Sequence, residues 1–428
     1  MSTADFKTNI QSRGEAVGDK TAPWTLILAG ATLPFMGVES AMAILFSSFG
    51  YNMRFVAPLS MLNYLSIALK SGVLIKDARS FDSFKDIDTV IFDKTGTLTT
   101  DLPHIGQIHT WNDISENDLL KYAAAAEYKQ SHPIALAIID ESKQRGLVLP
   151  DIENARYEIG YGITITIIEE TSDKLVHVGS LRFMDLEQID VPEEVYALQE
   201  GYQQQGHSLI AVAINGQLCG VIQLIPTIRP EVQAVIEQLH ANGLTLYVIS
   251  GDQEQPTRQL AEDLNIDHYF ANTLPEQKAL HIERLQAEGR TVCFIGDGIN
   301  DAIALKQADV SVSLSGASTI ATDTAQIILM DGSLKQIPKL FEIANAFERN
   351  MKGNLWATIV PGVMCVGGVY LFNIGLITSI AIFNMGLLAA VYNSMLPRFQ
   401  MMTGRLPKNL STINDKKKGV IESSQIFS

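Results

Sequence analysis

The run from Trp24 to Phe49, WTLILAGATLPFMGVESAMAILFSSF, carries one charge, Glu39, and constrains the fold more than any other feature of the chain. About 20 apolar residues in a helix span the roughly 30 Å of a bilayer's hydrocarbon. A weaker apolar stretch, Phe55 to Leu69, follows between Arg54 and Lys70 and holds Pro58 and Asn63. Near the other end, Asn354 to Ile374 is free of charge, and Gly375 to Leu396 follows with almost no loop, as a helical hairpin would. Four such segments read as membrane helices rather than as core helices of a soluble protein. The first is not expected to be a cleaved leader, because a polar stretch precedes it and no small-residue cleavage pattern follows. Lys335, Lys339, Arg349 and Lys352 stand before the last hairpin, and Arg398, Arg405, Lys408 and Lys416 to Lys418 after it. That bias predicts both termini and the large middle region on the cytoplasmic side.

Between the helix pairs, short apolar strands alternate with helical stretches such as Pro230 to Ala241. Asp88 to Phe92 (DTVIF), Leu244 to Ile249 (LTLYVI) and Val292 to Ile295 (VCFI) each run into a Gly- or Asp-rich turn. The pattern predicts an α/β fold with a doubly wound parallel sheet, whose ligands sit at the carboxyl ends of the strands. Residues 104–222 interrupt it with their own helices and strands (Ile163 to Glu169, Val176 to Gly179, Leu209 to Ala213) and read as an inserted α+β domain. The expected organisation is a polar segment 1–23, two membrane helices in 24–74 and the parallel-sheet domain in 75–103 and 223–349. The insertion fills 104–222, two further membrane helices 350–399, and a polar tail 400–428. A net charge of -15 argues against a nucleic-acid partner, and three cysteines without paired spacing exclude a disulfide scaffold.

The strand DTVIF delivers Asp93 into the heptapeptide DKTGTLT, Asp93 to Thr99. A carboxylate at a strand's end can attack phosphorus and become an aspartyl phosphate. Beside it Lys94 follows the nucleophile, Thr95 offers a hydroxyl and an N–H to phosphoryl oxygens, and Gly96 permits the close turn. Ser250-Gly251-Asp252 ends the LTLYVI strand, Lys278 in LPEQK offers a cation, and Gly296 to Asp301 (GDGIND) ends the VCFI strand with Asp297, Asn300 and Asp301. Hard oxygen donors sharing a site with phosphate imply Mg²⁺, with Asp93, Thr95 and Asp297 as its expected ligands.

DKTGTLT, SGD, LPEQK and GDGINDAIAL together resemble the P-type ATPases of the haloacid-dehalogenase-like superfamily, and among them the soft-metal (copper, zinc, cadmium) branch. The resemblance runs from about Trp24 to Phe399. It implies a haloacid-dehalogenase-like phosphorylation domain with an inserted nucleotide-binding domain, and an integral protein of a prokaryotic cytoplasmic membrane. In the insertion, Glu127, Ser131-His132-Pro133 and Gly160-Tyr161-Gly162 match that branch's ATP-binding glutamate, His-Pro and Gly-x-Gly. ATP is therefore expected on Glu127, His132, Pro133, Gly160 and Gly162. Many phosphatases of the superfamily place a second aspartate two positions after the nucleophile, where this chain has Thr95, so a persistent phosphoenzyme is expected.

Three departures stand against these matches. Where the branch carries Cys-Pro-Cys, this chain reads Ala57-Pro58-Leu59, keeping the helix-breaking Pro58 without thiolates for a soft metal. Too few residues precede Trp24 for the family's actuator domain. Pro226 stands where the family usually has an aspartate at the hinge, although Arg229 and Pro230 remain. The resulting expectation is a truncated, membrane-anchored ATPase-like enzyme, not an autonomous metal pump. Its partners would be ATP, membrane lipid and a second polypeptide supplying actuator function. Two alternatives stay open: a regulatory protein signalling through ATP binding or a long-lived phosphoaspartate, and a membrane-bound phosphatase. Glu39 and Pro58 are the candidate membrane site, though Glu39 is equally readable as a partner of Asn63 or Ser40.

Overall fold

The computed structural model describes residues 9–47, 52–100, 102–130, 132–158, 162–167, 173–296, 301–314 and 323–402. They fall into two compact units, one from residues up to 88, 283–294 and 305 onward, the other from 89–282 and 295–304. The chain opens the first unit with α1 (Asn9–Phe46) and α2 (Met53–Lys70), then β1 (Val73–Ile75). At Gly37 the backbone of α1 turns to φ 81° and ψ 176°, so two helical pieces meet there. A positive φ of this kind suits glycine, which has no Cβ to clash.

β2 (Thr89–Asp93) begins the second unit, and every one of its residues is buried. The insertion follows. Among the described residues it forms one antiparallel sheet from β3 (His104–Thr110), β4 (Ile152–Glu158), β5 (Gly162–Ile167), β6 (Lys174–Gly179), β7 (Ser208–Ile214) and β8 (Gln217–Ile225), in the order β3-β8-β7-β6-β5-β4. In β5 buried and half-buried residues alternate, as the two-residue period of a one-sided sheet requires. That face packs on α3 (Glu116–Glu127) and α4 (Pro133–Gln144) through Leu119, Ala123, Ile138, Ile165 and Val178. Ser115 starts α3 by accepting the Asp118 N–H, and His132 starts α4 by accepting that of Ile134. The predicted strands at 163–169, 176–179 and 209–213 thus appear as β5, β6 and β7, with residues 168–169 outside the described residues.

β9 (Thr245–Ile249) lies parallel to β2 with Ile249 opposite Asp93, and β10 (His268–Phe270) lies parallel to β9. α5 (Pro275–Ala287) follows. β11 (Val292–Ile295), β12 (Val310–Leu314) and β13 (Ile327–Leu329) come next, β12 and β13 parallel and β1 antiparallel to β13. The parallel strands with a glycine-, serine- or aspartate-bearing turn at their ends are those the sequence predicts.

The first unit closes with α6 (Gln336–Phe372) and α7 (Leu376–Met402), joined through Asn373 in the left-handed region. Among the described residues three helices are long and apolar enough to cross a membrane: α1 from Asp19 to Phe46, α6, and α7 to Met401. α2, the fourth expected span, is shorter than these three. α2 has 18 residues and buries Ser60, Asn63 and Tyr64 against other helices instead of presenting an apolar surface all round. Ser60 Oγ donates to Asn350 Oδ1 (2.9 Å) and Asn354 Nδ2 donates to Ser60 and Ser394 (2.8 and 3.0 Å). Asn63 Nδ2 donates to the Ser394 carbonyl at 3.0 Å. Asn63 is therefore committed to α7 and is not the partner of Glu39. Glu39 lies against the α6–α7 connection, where a Cβ on Gly375 would fall 2.6 Å from its Oε1.

Candidate active site

β2 ends in a carboxylate because its last residue, Asp93, is also the first residue of a tight turn. Asp93 is 5% exposed. The turn reverses through Gly96 at φ 73°, the Gly96 N–H donates to Thr99 Oγ1 (3.2 Å), and the Thr99 N–H donates to the Lys94 carbonyl (3.1 Å). The Arg229 guanidinium clamps the turn from outside, donating to the Gly96 carbonyl at 2.7 Å. Thr95 is left exposed at the strand end, while the Thr97 hydroxyl is buried with no hydrogen-bond partner among the described residues.

Lys278 comes from the first turn of α5, and its ammonium donates to Asp93 Oδ1 (2.5 Å) and Asp301 Oδ1 (2.6 Å). A cation at a helix N-terminus is opposed by the helix dipole. Here the two carboxylates compensate. Burial alone would lower the Lys278 pKa, but Asp93 and Asp301 outweigh it and hold the ammonium above its ordinary value. Asp301 is 1% exposed, so Lys278 is a buried cation shared by two buried anions. Lys94 turns the other way and pairs with Asp252. Its burial lowers its pKa, against the opposing pull of Asp93.

Ser250 is buried at the end of β9, and its hydroxyl accepts the Asp252 N–H at 3.1 Å. Its carbonyl accepts from Thr273 N (3.0 Å), and Asn272 N donates to the Asp252 carbonyl (2.7 Å), which fixes the Ser250-Gly251-Asp252 turn. Of the residues the sequence singles out, Asp93, Lys278 and Asp301 are joined by direct bonds, as are Lys94 and Asp252. Asp297 and Asn300 lie outside the described residues. Two site builders are not readable from the sequence alone: Arg229, whose clamp on the Gly96 carbonyl is a tertiary contact, and Thr99. The repeated threonines of DKTGTLT are the only signal for the latter.

In the insertion a cavity of about 300 Å³ is lined by Glu127, His132, Gly162, Ser180, Ile210 and Leu224, among others. Glu127 and His132 sit at the C-terminus of α3 and the N-terminus of α4, so one short connection brings both to the cavity. Burial pushes the Glu127 carboxyl up to about 7. His132 Nδ1 accepts the Ile134 N–H at 3.3 Å, which leaves Nε2 as the ring's donor when neutral. Gly162 is glycine for packing: a Cβ would meet Phe183 Cδ1 at 2.3 Å and the Val178 carbonyl at 2.6 Å. Pro133 is the first residue of α4, where its missing N–H costs nothing. Gly160 lies outside the described residues.

The family model of the haloacid dehalogenase-like hydrolases matches residues 87–309. A copper-exporting P-type ATPase of Vibrio cholerae is 36% identical over 303 residues, covering 71% of this chain and 32% of that protein. The copper-exporting P-type ATPase B of Archaeoglobus fulgidus is 33% identical over 343 residues, covering 78% and 48%. The chain thus spans about a third to a half of the length of these curated relatives. The crystal structure of a zinc-transporting PIB-type ATPase in the E2.Pi state shares the fold, with a TM-score of 0.74 at 24% identity over 89% of this chain and 62% of that one. The catalytic domain of the CPx-ATPase CopB-B is 32% identical with a TM-score of 0.52, over 65% of this chain and 98% of that domain.

Proposed function

This chain belongs to the haloacid dehalogenase-like hydrolases and, within them, to the P-type ATPases; on that premise we propose that it binds ATP in the insertion and transfers the γ-phosphoryl group to Asp93. The observation that carries the proposal is the buried Asp93–Lys278–Asp301 triad at the end of β2. A carboxylate oxygen of Asp93 attacks the γ-phosphorus, the bond to the β,γ-bridging oxygen breaks, and ADP leaves with that electron pair. Lys278 stabilises negative charge on the transferring group, and Thr95 and Ser250 supply hydroxyls to its oxygens. Glu127 and His132 hold the base, with Gly162 letting the cavity wall pack close.

The donor set fits Mg²⁺. Asp93 presents a hard carboxylate oxygen at a strand end, and Thr95 beside it is exposed. The ion would be held by Asp93, Thr95 and Asp297, and bound there it supplies positive charge to the phosphoryl oxygens.

Soft-metal transport is not part of the proposal. The residues flanking Pro58 are Ala57, fully buried, and Leu59. The Cys365 thiol donates to the Ser379 carbonyl (3.4 Å), and Met395 Sδ accepts from Asn63. These contacts support packing roles for the nearby sulfur atoms. The deciding experiment incubates the protein with γ-labelled ATP and Mg²⁺. An acid-stable, hydroxylamine-sensitive label is expected in the wild type and absent in Asp93→Asn. No label in the wild type would overturn the proposal.

A further inference from the structure

We propose that the cavity enclosed by α2, α6 and α7 in the first unit is a binding site for a phospholipid with an anionic headgroup. It measures about 280 Å³, and its lining includes the polar residues Arg349, Tyr64 and Gln400 and the apolar residues Ile343, Leu396 and Met401. No aspartate or glutamate lines it.

Its depth follows from helix geometry. At 1.5 Å per residue, about 20 residues cross the hydrocarbon. Counted back from Phe372 on α6, that distance ends near Gly353; counted forward from Leu376 on α7, it ends near Met395. The cavity walls, Ile343 to Asn350 and Asn393 to Met401, therefore lie at the level of the headgroups on the side that carries the basic residues. The inner end is closed: Asn350 Nδ2 donates to the Asn393 carbonyl (2.7 Å) and Asn393 Nδ2 donates to the Asn350 carbonyl (3.1 Å). A ligand entering from the membrane plane stops at that satisfied pair.

Charge selects the ligand. Glu348 is shared by Lys85 (3.5 Å) and Lys352 (3.6 Å), so each of these cations has an ion-pair partner. Arg349, which lines the cavity, and Arg398, adjacent to the lining residue Pro397, have no ion pair among the described residues. A guanidinium at the mouth of an apolar cleft between membrane helices matches a phosphodiester joined to acyl chains. A soluble anion would leave Ile343, Leu396 and Met401 uncovered.

The test places the full chain in nanodiscs of equal phosphatidylglycerol and phosphatidylcholine, releases it, and counts retained lipid by native mass spectrometry. Preferential retention of phosphatidylglycerol, on the order of fivefold or more, is expected. Arg349→Gln with Arg398→Gln should bring the two lipids to parity, and Arg349→Lys should keep the preference. Ala346→Phe, which fills the cavity without altering charge, should lose bound lipid of both kinds. Equal retention by the wild type, or an undiminished preference in the double glutamine variant, would overturn the proposal. So would displacement of phosphatidylglycerol by millimolar inorganic phosphate, which would mark a soluble-anion site.

Discussion

Lys278 is the residue on which the site's electrostatics turn, since one ammonium bridges two carboxylates that would otherwise repel each other in a buried space. Lys278→Ala is expected to lower the initial rate of Asp93 phosphorylation by about 10²- to 10³-fold, read by rapid-quench labelling. Glu127 makes a second prediction. Its carboxyl titrates near 7 when folded, well above the ordinary value of 4.5. The native state therefore keeps a proton that the unfolded chain has lost across that window, and stability falls as pH rises from about 4.5 to 7. Glu127→Gln removes the titration. The variant should match the wild type near pH 4 and exceed it at pH 8 by on the order of 1 kcal/mol, allowing for solvent screening. Thermal unfolding at the two pH values distinguishes this from a pH-independent difference.

At the scale of elements, α6 and α7 meet at a proline. Pro361 has no N–H, so the carbonyl of Ala357, four residues back, loses its helical donor. Gly386 on α7 packs onto this defect: a Cβ there would lie 2.8 Å from the Ala357 carbonyl oxygen and 2.5 Å from Pro361 Cγ. Gly386→Ala must push the helices apart and should cost about 1–3 kcal/mol, seen as a lower Tm in detergent. The turn after β2 offers a parallel case, because Arg229 holds the Gly96 carbonyl across 133 residues of sequence. Arg229→Ala should slow phosphorylation while leaving ATP affinity unchanged, since Arg229 is not part of the insertion's cavity. Equilibrium binding measured beside labelling separates the two effects.

For the molecule as a whole, Phe35, Leu371, Phe372 and Ile377 expose more than three-quarters of their surface on the membrane helices. Such side chains need lipid around them. The protein should stay in the pellet through an alkaline carbonate wash and leave it only with detergent. The same molecule shows what a sequence discloses. Asp93, Ser250, Lys278 and Asp301 were legible because each sits in a short motif at a strand end or helix start, where local pattern and chemistry coincide. The role of Gly162 was not: its reason is the Phe183 ring, which reaches it only through the antiparallel pairing of β5 with β6. The packing of α2 was hidden for a similar reason. Its serine and asparagine look like interruptions of an apolar run until their partners, 290 and 331 residues away, are seen. The break at Gly37 also lies inside a run that reads as continuous helix.

α6 runs unbroken for 37 residues, about 55 Å. Its first half is seated by aromatic rings, Phe341 on Phe84 at 4.4 Å and Phe347 on Phe81 and Tyr64 at 5.3 Å each. Its second half carries Asn354 and Cys365 among the other helices. Its interior proline, Pro361, is braced by Gly386 of α7, which packs against the missing hydrogen bond. A push on the phenylalanines at one end arrives at the other as translation and torque, so the first unit has a mechanical axis already drawn through it.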